Sequence, residues 1–173
     1  MNLAVEIAGI RFKNPLIAAS GTFGYGVEYE GILDLSLLGG IVSKGLYMEP
    51  RDGAPTPRIV ETPSGLLNAI GLQGVGVRAF VRDVLPRLAK HDTALLVNVC
   101  GDTVDEYAEV SRVCDGAPGI AGLEVNISCP NVKKGGMAFG GDPRMTHEVV
   151  AAVRKATRLP IIPKLSPNVG DIT

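Results

Sequence analysis

The chain has 173 residues, of which 46% are hydrophobic and 20% charged, and its formal net charge at pH 7 is −1. The length predicts a single domain over residues 1–173, and the charge argues against a nucleic-acid or membrane-surface partner, which would need a basic excess. No apolar run reaches the ~18 residues of a membrane span, and the 3 cysteines form neither a disulfide framework nor a CxxC metal pair. We therefore expect a cytoplasmic protein without a metal site.

Short apolar segments recur along the chain. LAVEIAG and IRFKN alternate and turn at Gly9, which predicts a β-hairpin placed before the main sheet. Further apolar runs of strand length occupy residues 15–21, 39–45, 94–101, 122–130 and 159–167. Each is apolar at consecutive positions, which indicates strands buried on both faces and is typical of a parallel sheet.

Helical patterns lie between these predicted strands. Apolar residues within 77–88 recur at spacings of three and four and share one helix face. Thr103 and Glu106 predict a capping box for a second helix, and Asp142 with Pro143 predicts the start of a third. Residues 47–76 are rich in glycine and proline without a clear period, and a loop of that length is usually functional.

Two parallel α/β architectures fit this order: an open doubly wound sheet and a (β/α)₈ barrel. The doubly wound sheet should carry GxGxxG or GxxxxGK[ST] after its first strand, and ASGTFGYG is neither. A barrel places reactive groups at the carboxyl ends of its strands. Such groups end each run: Ser20, Lys44, Asn98, Asn126 with Cys129, and Lys164. The pattern favours a barrel of which this chain holds about the first five strands, because a whole barrel takes ~250 residues.

Four of these side chains are candidates for ligand contacts. Lys44 and Lys164 each follow an apolar run, where a lysine either snorkels to solvent or faces an anionic or electron-rich ligand. Asn98 and Asn126 occupy matching Val-Asn steps. Either amide alone could cap a strand through the backbone, whereas the pair suits a heterocycle with ring N–H and C=O groups.

The cysteines divide into two kinds. Cys100 and Cys114 are expected to be core thiols, since free cysteine is among the most buried residue types. Cys129 lies in EVNISCPN at a strand end, ahead of the cationic, glycine-rich segment VKKGGMAFGGDP. Nearby positive charge lowers a thiol pKa, so Cys129 is expected to serve as a nucleophile or a general base.

The motifs resemble those of class 1 dihydroorotate dehydrogenases, most closely the class 1B catalytic subunit. The shared segments are NPLIAASGTFGYG, IVSKGL, PRDGAPTPR, ETPSGLLNAIGLQ, VNVCG, EVNISCPNVKKGGMAFGGDP and PKLSPNVGDI. NAIGLQ together with NISCPN is the most specific pair. The resemblance implies a flavin-binding (β/α)₈ barrel that oxidises (S)-dihydroorotate to orotate in pyrimidine (UMP) biosynthesis, with FMN as the cofactor.

The resemblance also implies roles for individual residues. Cys129 would be the base that removes the C5 proton of dihydroorotate, while a hydride passes from C6 to flavin N5. The implied cofactor-binding residues are Ser20, Gly21, Lys44, Gly45, Asn98, Asn126 and Lys164. The implied substrate-binding residues are Lys44, Asn68, Ala69, Ile70, Gly71, Leu72, Asn126 and Asn131.

Class 1B further implies a homodimer of catalytic subunits within a heterotetramer. Electrons would pass to a partner subunit carrying FAD and an iron–sulfur cluster and then to NAD⁺, with fumarate as the other acceptor that this part of the sequence leaves open. The family's phosphate-binding turns come from later strands, so the 173 residues alone are expected not to hold FMN tightly or to be active. Two alternatives are a dihydropyrimidine dehydrogenase-like flavoprotein and a non-catalytic barrel fragment.

Overall fold

The structure is a computed structural model in which residues 2–128, 139–167 and 170 are described. Its strands are β1 (Val5–Ile7), β2 (Ile10–Phe12), β3 (Ile17–Ala18), β4 (Gly40–Val42), β5 (Ile59–Thr62), β6 (Gly65–Asn68), β7 (Ala94–Val99), β8 (Gly122–Asn126) and β9 (Ile161–Lys164). Its helices are α1 (Val77–Ala79), α2 (Leu85–Leu88), α3 (Val104–Asp115) and α4 (Pro143–Ala156), with a π-helical turn at Phe80–Val84. Short 3₁₀ turns occur at Val27–Tyr29 and Leu35–Leu37.

The central sheet is parallel, with its strands side by side in the order β3-β4-β7-β8-β9. The spatial order follows the chain order without a reversal. A doubly wound sheet reverses its order at a switch point, whereas a (β/α)₈ barrel adds each new strand beside the preceding one. The sequential order, with helices between strands, confirms the barrel architecture over the strands that the structure describes.

The outer face of the sheet packs against the helices. Val97, Leu123 and Val125 alternate with inward-facing residues along β7 and β8 and are fully buried. They belong to one apolar cluster with Val110 of α3 and Val149 of α4. Burial on this face, in addition to contacts on the other, explains why these strands are apolar at nearly every position.

The predicted N-terminal hairpin is present and covers the lower part of the inner face. β1 and β2 pair antiparallel around Ala8 and Gly9, whose φ angles are 52° and 78°. Positive φ at both central positions is what a two-residue type I′ hairpin turn requires. Ile10 and Phe12 of β2 are buried against inner-face residues of β4 and β7. The base of the barrel interior is therefore apolar.

Helices α3 and α4 begin at their predicted caps. Thr103 Oγ1 accepts from the N–H of Glu106 (3.2 Å), and Asp142 Oδ1 accepts from the N–H of Arg144 (2.8 Å). The reciprocal half of the predicted capping box is wrong. The Glu106 carboxylate accepts from the N–H of Asp102 (2.7 Å) rather than that of Thr103. It also accepts from a backbone N–H in the loop after β4, so it joins that loop to the start of α3.

The helical stretch before β7 is interrupted by the π-helical turn at Phe80–Val84. Pro86 follows this turn within α2. A proline lacks the N–H that would bond the carbonyl four residues earlier, and its ring clashes with that carbonyl, so a widened turn accommodates it. The apolar face predicted for 77–88 is otherwise confirmed, with Val77, Phe80 and Leu85 buried.

Residues 47–76, predicted to lack regular structure, contain a second antiparallel hairpin, β5–β6. Its apolar side chains face solvent, with Ile59 58% and Leu67 67% exposed. Because neither face of this hairpin is buried, its sequence carries no alternation of apolar and polar residues to reveal the strands. The prediction of an irregular loop was therefore wrong for this part.

Within the described residues, no helix combines the length and apolar character of a membrane span.

Candidate active site

A cavity of about 590 Å³ opens at the carboxyl ends of the parallel strands. Every predicted ligand-binding residue that the structure describes lines it: Ser20, Gly21, Lys44, Gly45, Asn68, Ala69, Ile70, Gly71, Leu72, Asn98, Asn126 and Lys164. Thr22, Gly24, Tyr47, Gln73 and Cys100 complete the lining. The predicted base Cys129 and the predicted substrate contact Asn131 lie outside the described residues.

Strand alternation brings the polar side chains of the floor together. Asn98 in β7 pairs in register with Glu124 in β8, and Asn126 at the end of β8 pairs with Lys164 at the end of β9. Their neighbours along the strands point to the helices, so these side chains point into the barrel. Adjacent strands lie only about 4.8 Å apart, which places polar groups from three strands within contact distance.

The two predicted asparagines are hydrogen-bonded to each other. Asn126 Nδ2 donates to Asn98 Oδ1 (3.2 Å), and Asn98 Nδ2 donates to the Glu124 carboxylate. Asn126 Oδ1 accepts from both the N–H (3.3 Å) and the hydroxyl (2.9 Å) of Ser128. Asn98 is fully buried, whereas Asn126 is half-buried at the cavity. Asn98 therefore supports the floor, and Asn126 uses one of its two amide N–H groups within it.

Glu124 is a site residue that sequence reasoning missed. Its Oε1 accepts from Ser20 Oγ (2.8 Å) and from Asn98, and it lies 3.7 Å from the Lys164 ammonium. The same ammonium donates to Ser20 Oγ at 3.4 Å. A signal was available in the sequence. Glu124 lies two residues before Asn126 in an apolar strand, so it shares the face of that asparagine, and a carboxylate in such a place needs partners.

Lys44 is half-buried beside the cavity, directly after β4. Its backbone N–H donates to the Gly24 carbonyl (2.7 Å), which holds the loop after β3 against the end of β4. Within residues 2–128, 139–167 and 170, no group accepts a hydrogen bond from its ammonium. Among the described residues, Lys44, Lys164 and Glu124 together give the cavity a net positive charge, which favours an anionic or electron-rich ligand.

Cys100 and Cys114 are both buried, as predicted, but only one is remote from the cavity. Cys100 Sγ donates to Asn98 Oδ1 (3.3 Å) and lines the cavity wall. Gly45 packs against it so closely that a Cβ there would lie 2.8 Å from the sulfur. Cys114 is fully buried in the helix layer, where burial raises the pKa of its thiol to about 12.

Residues 68–72 form one wall of the cavity and are held by close backbone contacts. The Ala54 N–H donates to the Ile70 carbonyl (3.0 Å). Gly71 has φ +75° and packs so tightly that a Cβ would lie 2.2 Å from the Ala54 nitrogen. Only glycine fits this position, because the backbone conformation and the contact both exclude a side chain.

Arg58 fastens the same wall from outside the cavity, and sequence reasoning missed it as well. Its guanidinium donates to Gln73 Oε1 (2.6 Å), to the Asp52 carbonyl (2.9 Å) and to the Ala54 carbonyl. These partners lie on both sides of the β5–β6 hairpin. Because the guanidinium fork can bond several acceptors in fixed geometry, Arg58 closes the loop that carries residues 68–72.

The cavity offers binding, orientation and charge stabilisation from its described residues. Amide and ammonium donors line its floor, and residues 68–72 form one of its walls. In the described part of the chain, no three histidine, cysteine or carboxylate side chains are placed to hold a metal ion. The arrangement suits a planar heterocycle whose acceptor atoms face the floor.

The comparisons with known proteins agree on one family. The family model for dihydroorotate dehydrogenase matches residues 2–173. The chain is 60% identical over 169 residues to the dihydroorotate dehydrogenase B (NAD(+)) catalytic subunit of Desulforudis audaxviator, covering 98% of this chain and 55% of that protein. Proteins of the same name from Geotalea daltonii and Desulforamulus reducens are each 56% identical, with 99% of this chain covered and 56% and 57% of theirs. The chain thus spans little more than half the length of these curated relatives.

Proposed function

The chain belongs to the dihydroorotate dehydrogenase family, and we propose that the protein containing it oxidises (S)-dihydroorotate to orotate in pyrimidine biosynthesis. The observation that carries the proposal is the cavity lining, where Asn126, Lys164 and Lys44 lie at the carboxyl ends of strands of one sheet. These groups donate hydrogen bonds and positive charge, which suits the carbonyl oxygens and the carboxylate of a dihydroorotate molecule.

The residues around the cavity also fit FMN, the cofactor we propose for this site. Ser20, Gly21, Lys44, Gly45, Asn98, Asn126 and Lys164 would hold its ring system. FMN, when bound, supplies the acceptor for the hydride that leaves substrate C6. Lys164 would stabilise negative charge on the electron-rich edge of the ring, because a cation fixed in a shielded site stabilises developing charge strongly.

Substrate binding is assigned to residues 68–72, Lys44, Asn126 and Asn131. The Lys44 ammonium would bind the substrate carboxylate, since no described residue accepts a hydrogen bond from it. This favours dihydroorotate over the uracil-type substrates of the dihydropyrimidine dehydrogenase alternative, which lack a carboxylate. The wall formed by residues 68–72 packs directly against Ala54, because Gly71 has no side chain to separate them.

Cys129 is proposed as the general base that takes the C5 proton of the substrate. A thiolate is suited to this step because its pKa can be brought near the working pH by surrounding positive charge. The preceding residue, Ser128, is held at the end of β8 by two hydrogen bonds to Asn126. The same amide that faces the ligand therefore anchors the chain next to the base.

The names of the relatives include "NAD(+)" and "catalytic subunit". We propose accordingly that this protein forms a homodimer and passes its electrons to a partner subunit with FAD and an iron–sulfur cluster, and from there to NAD⁺. A cytoplasmic location fits such a soluble electron acceptor. The longer relatives also support the expectation that residues 1–173 need the remainder of the protein to bind FMN tightly.

The test is anaerobic reduction of the flavin in the full-length protein by dihydroorotate. We expect bleaching of the flavin absorbance, recovery by NAD⁺ only with the co-purified partner subunit, and little response to dihydrouracil. Cys129→Ala should slow reduction by about 10²- to 10⁴-fold near neutral pH, while Cys114→Ala, a matched change at a core thiol, should not. Faster reduction by dihydrouracil would favour the alternative substrate class, and unchanged kinetics in Cys129→Ala would exclude the assigned base.

A further inference from the structure

We propose that Glu124 is a positioning residue, which fixes the direction of the hydrogen bonds on the cavity floor and so makes its side chains present donors to the ligand. This inference rests on the proposed function and adds which chemical groups of a ligand the cavity floor can bind. A ligand must meet this floor with acceptor atoms, as orotate can with its carbonyl oxygens and carboxylate. Glu124 would act through Asn98 and Lys164 rather than by touching the ligand.

An ionised carboxylate accepts hydrogen bonds and cannot donate them. The Asn98 amide must therefore turn its Nδ2 to Glu124, as observed. Its Oδ1 then faces the other way, where it accepts from Asn126 Nδ2 (3.2 Å) and from Cys100 Sγ (3.3 Å). With Glu124 in place, the opposite orientation of Asn98 would bring two oxygen atoms against each other.

The orientation of the Asn98 amide in turn sets the orientation of the Asn126 amide. Because Asn98 offers an oxygen, Asn126 must offer its amide nitrogen, and its own Oδ1 turns to Ser128. The acceptor of Asn126 is thus occupied within the protein, and an N–H is left for the ligand. The hydrogen bonds run in one direction, from Ser128 through Asn126 and Asn98 to Glu124. Such chains polarise one another, so fixing one end orients the whole chain.

Glu124 also contacts Lys164. Its ammonium lies 3.7 Å from Glu124 Oε1 and 3.4 Å from Ser20 Oγ, which itself donates to the same carboxylate oxygen at 2.8 Å. The Glu124 side chain is only 16% exposed, whereas that of Lys164 is 37% exposed. Glu124 therefore fixes the position of the Lys164 ammonium from the buried side, and part of the ammonium remains exposed to the cavity.

Two substitutions separate orientation from charge in the full-length protein. Glu124→Gln removes the charge but keeps an amide oxygen where Oε1 now accepts, while Glu124→Leu removes the acceptor with little change in volume. We expect the orotate Kd to rise about tenfold or more in Glu124→Leu and to rise less in Glu124→Gln. A role in charge balance alone predicts the opposite, since removing a carboxylate should tighten binding of an anion. Glu109→Leu on the exposed face of α3 is the matched control.

A second measurement does not depend on any ligand. In ¹H–¹⁵N spectra of the protein, the Asn98 side-chain amide, assigned through Asn98→Ala, should show a strongly downfield proton from its bond to the carboxylate. This signal should move upfield in Glu124→Gln, vanish from its position in Glu124→Leu and stay fixed in Glu109→Leu. An unchanged signal, tighter orotate binding in Glu124→Leu or equal effects of both substitutions would overturn the proposal. If Glu124→Leu does not fold, the amide shift in Glu124→Gln decides alone.

The two proposals fail separately. If the wild-type protein binds no orotate, the proposed function is wrong, while the amide signals still show whether Glu124 orients Asn98. If orotate binds and the amide signals ignore Glu124, the function stands and the positioning role is refuted.

Discussion

Replacing Arg58 with alanine should loosen one wall of the cavity and leave the barrel intact. The guanidinium bonds the carbonyls of Asp52 and Ala54 on one side of the β5–β6 hairpin and Gln73 on the other. Arg58 also accepts, through its own carbonyl, from the Ala69 N–H (2.8 Å). None of these residues belongs to the apolar clusters of the described part of the chain, so the loss should stay local.

The magnitude follows from the three side-chain hydrogen bonds. Each contributes about 0.5–1.5 kcal/mol, and Arg58 is half-buried, so the lower part of that range applies. The total is about 2 kcal/mol, which raises the open population of the wall by about 30-fold. Arg58→Lys should recover less than half of this free energy, because a single ammonium cannot make all three hydrogen bonds of the guanidinium.

Hydrogen exchange of the Ala54 and Ala69 amides is the assay, since both donate across the loop. In Arg58→Ala both should exchange about 30-fold faster, while the amides of α3 and the melting temperature stay unchanged. Arg82→Ala is the control, because the recorded partner of Arg82 is its exposed neighbour Asp83. Unchanged exchange at Ala54 and Ala69 would refute the reasoning, and so would equal acceleration throughout α3.

Two further substitutions test the helix layer. Burial raises the pKa of the Cys114 thiol from 9.0 to about 12, so the stability that this thiol contributes below pH 9 should be lost as the pH rises toward 12. In denaturant unfolding across this range, the free energy of unfolding should fall less steeply with pH in Cys114→Ala than in the wild type. An identical fall in both proteins would contradict the raised pKa of Cys114. Tyr107→Phe should lower the free energy of unfolding by about 1 kcal/mol, because the Tyr107 hydroxyl donates to the Asn126 carbonyl (2.7 Å). Tyr29→Phe, whose hydroxyl reaches the Thr22 carbonyl only at 3.5 Å, should lose less, and an equal loss would count against the Tyr107 bond.

Local patterns predicted most of the barrel framework. The β1–β2 hairpin, the strands of the central sheet and the caps at Thr103 and Asp142 all follow from neighbouring residues, and the structure confirms them. The β5–β6 hairpin escaped prediction because it has no buried face and hence no apolar alternation. The predicted partner of Glu106 was also wrong, since its carboxylate accepts from the N–H of Asp102 rather than from that of Thr103.

The strand ends and the polar residues that occupy them follow from the order of the amino acids, because strand length and side-chain alternation are local properties. That order therefore brought Lys44, Asn98, Asn126 and Lys164 to one end of one sheet. Which atoms of these groups remain for a ligand depends on contacts between distant parts of the chain. Glu124 is 26 residues from Asn98 in the chain and Arg58 is 15 from Gln73, and hydrogen bonds across such separations depend on strand register and loop closure.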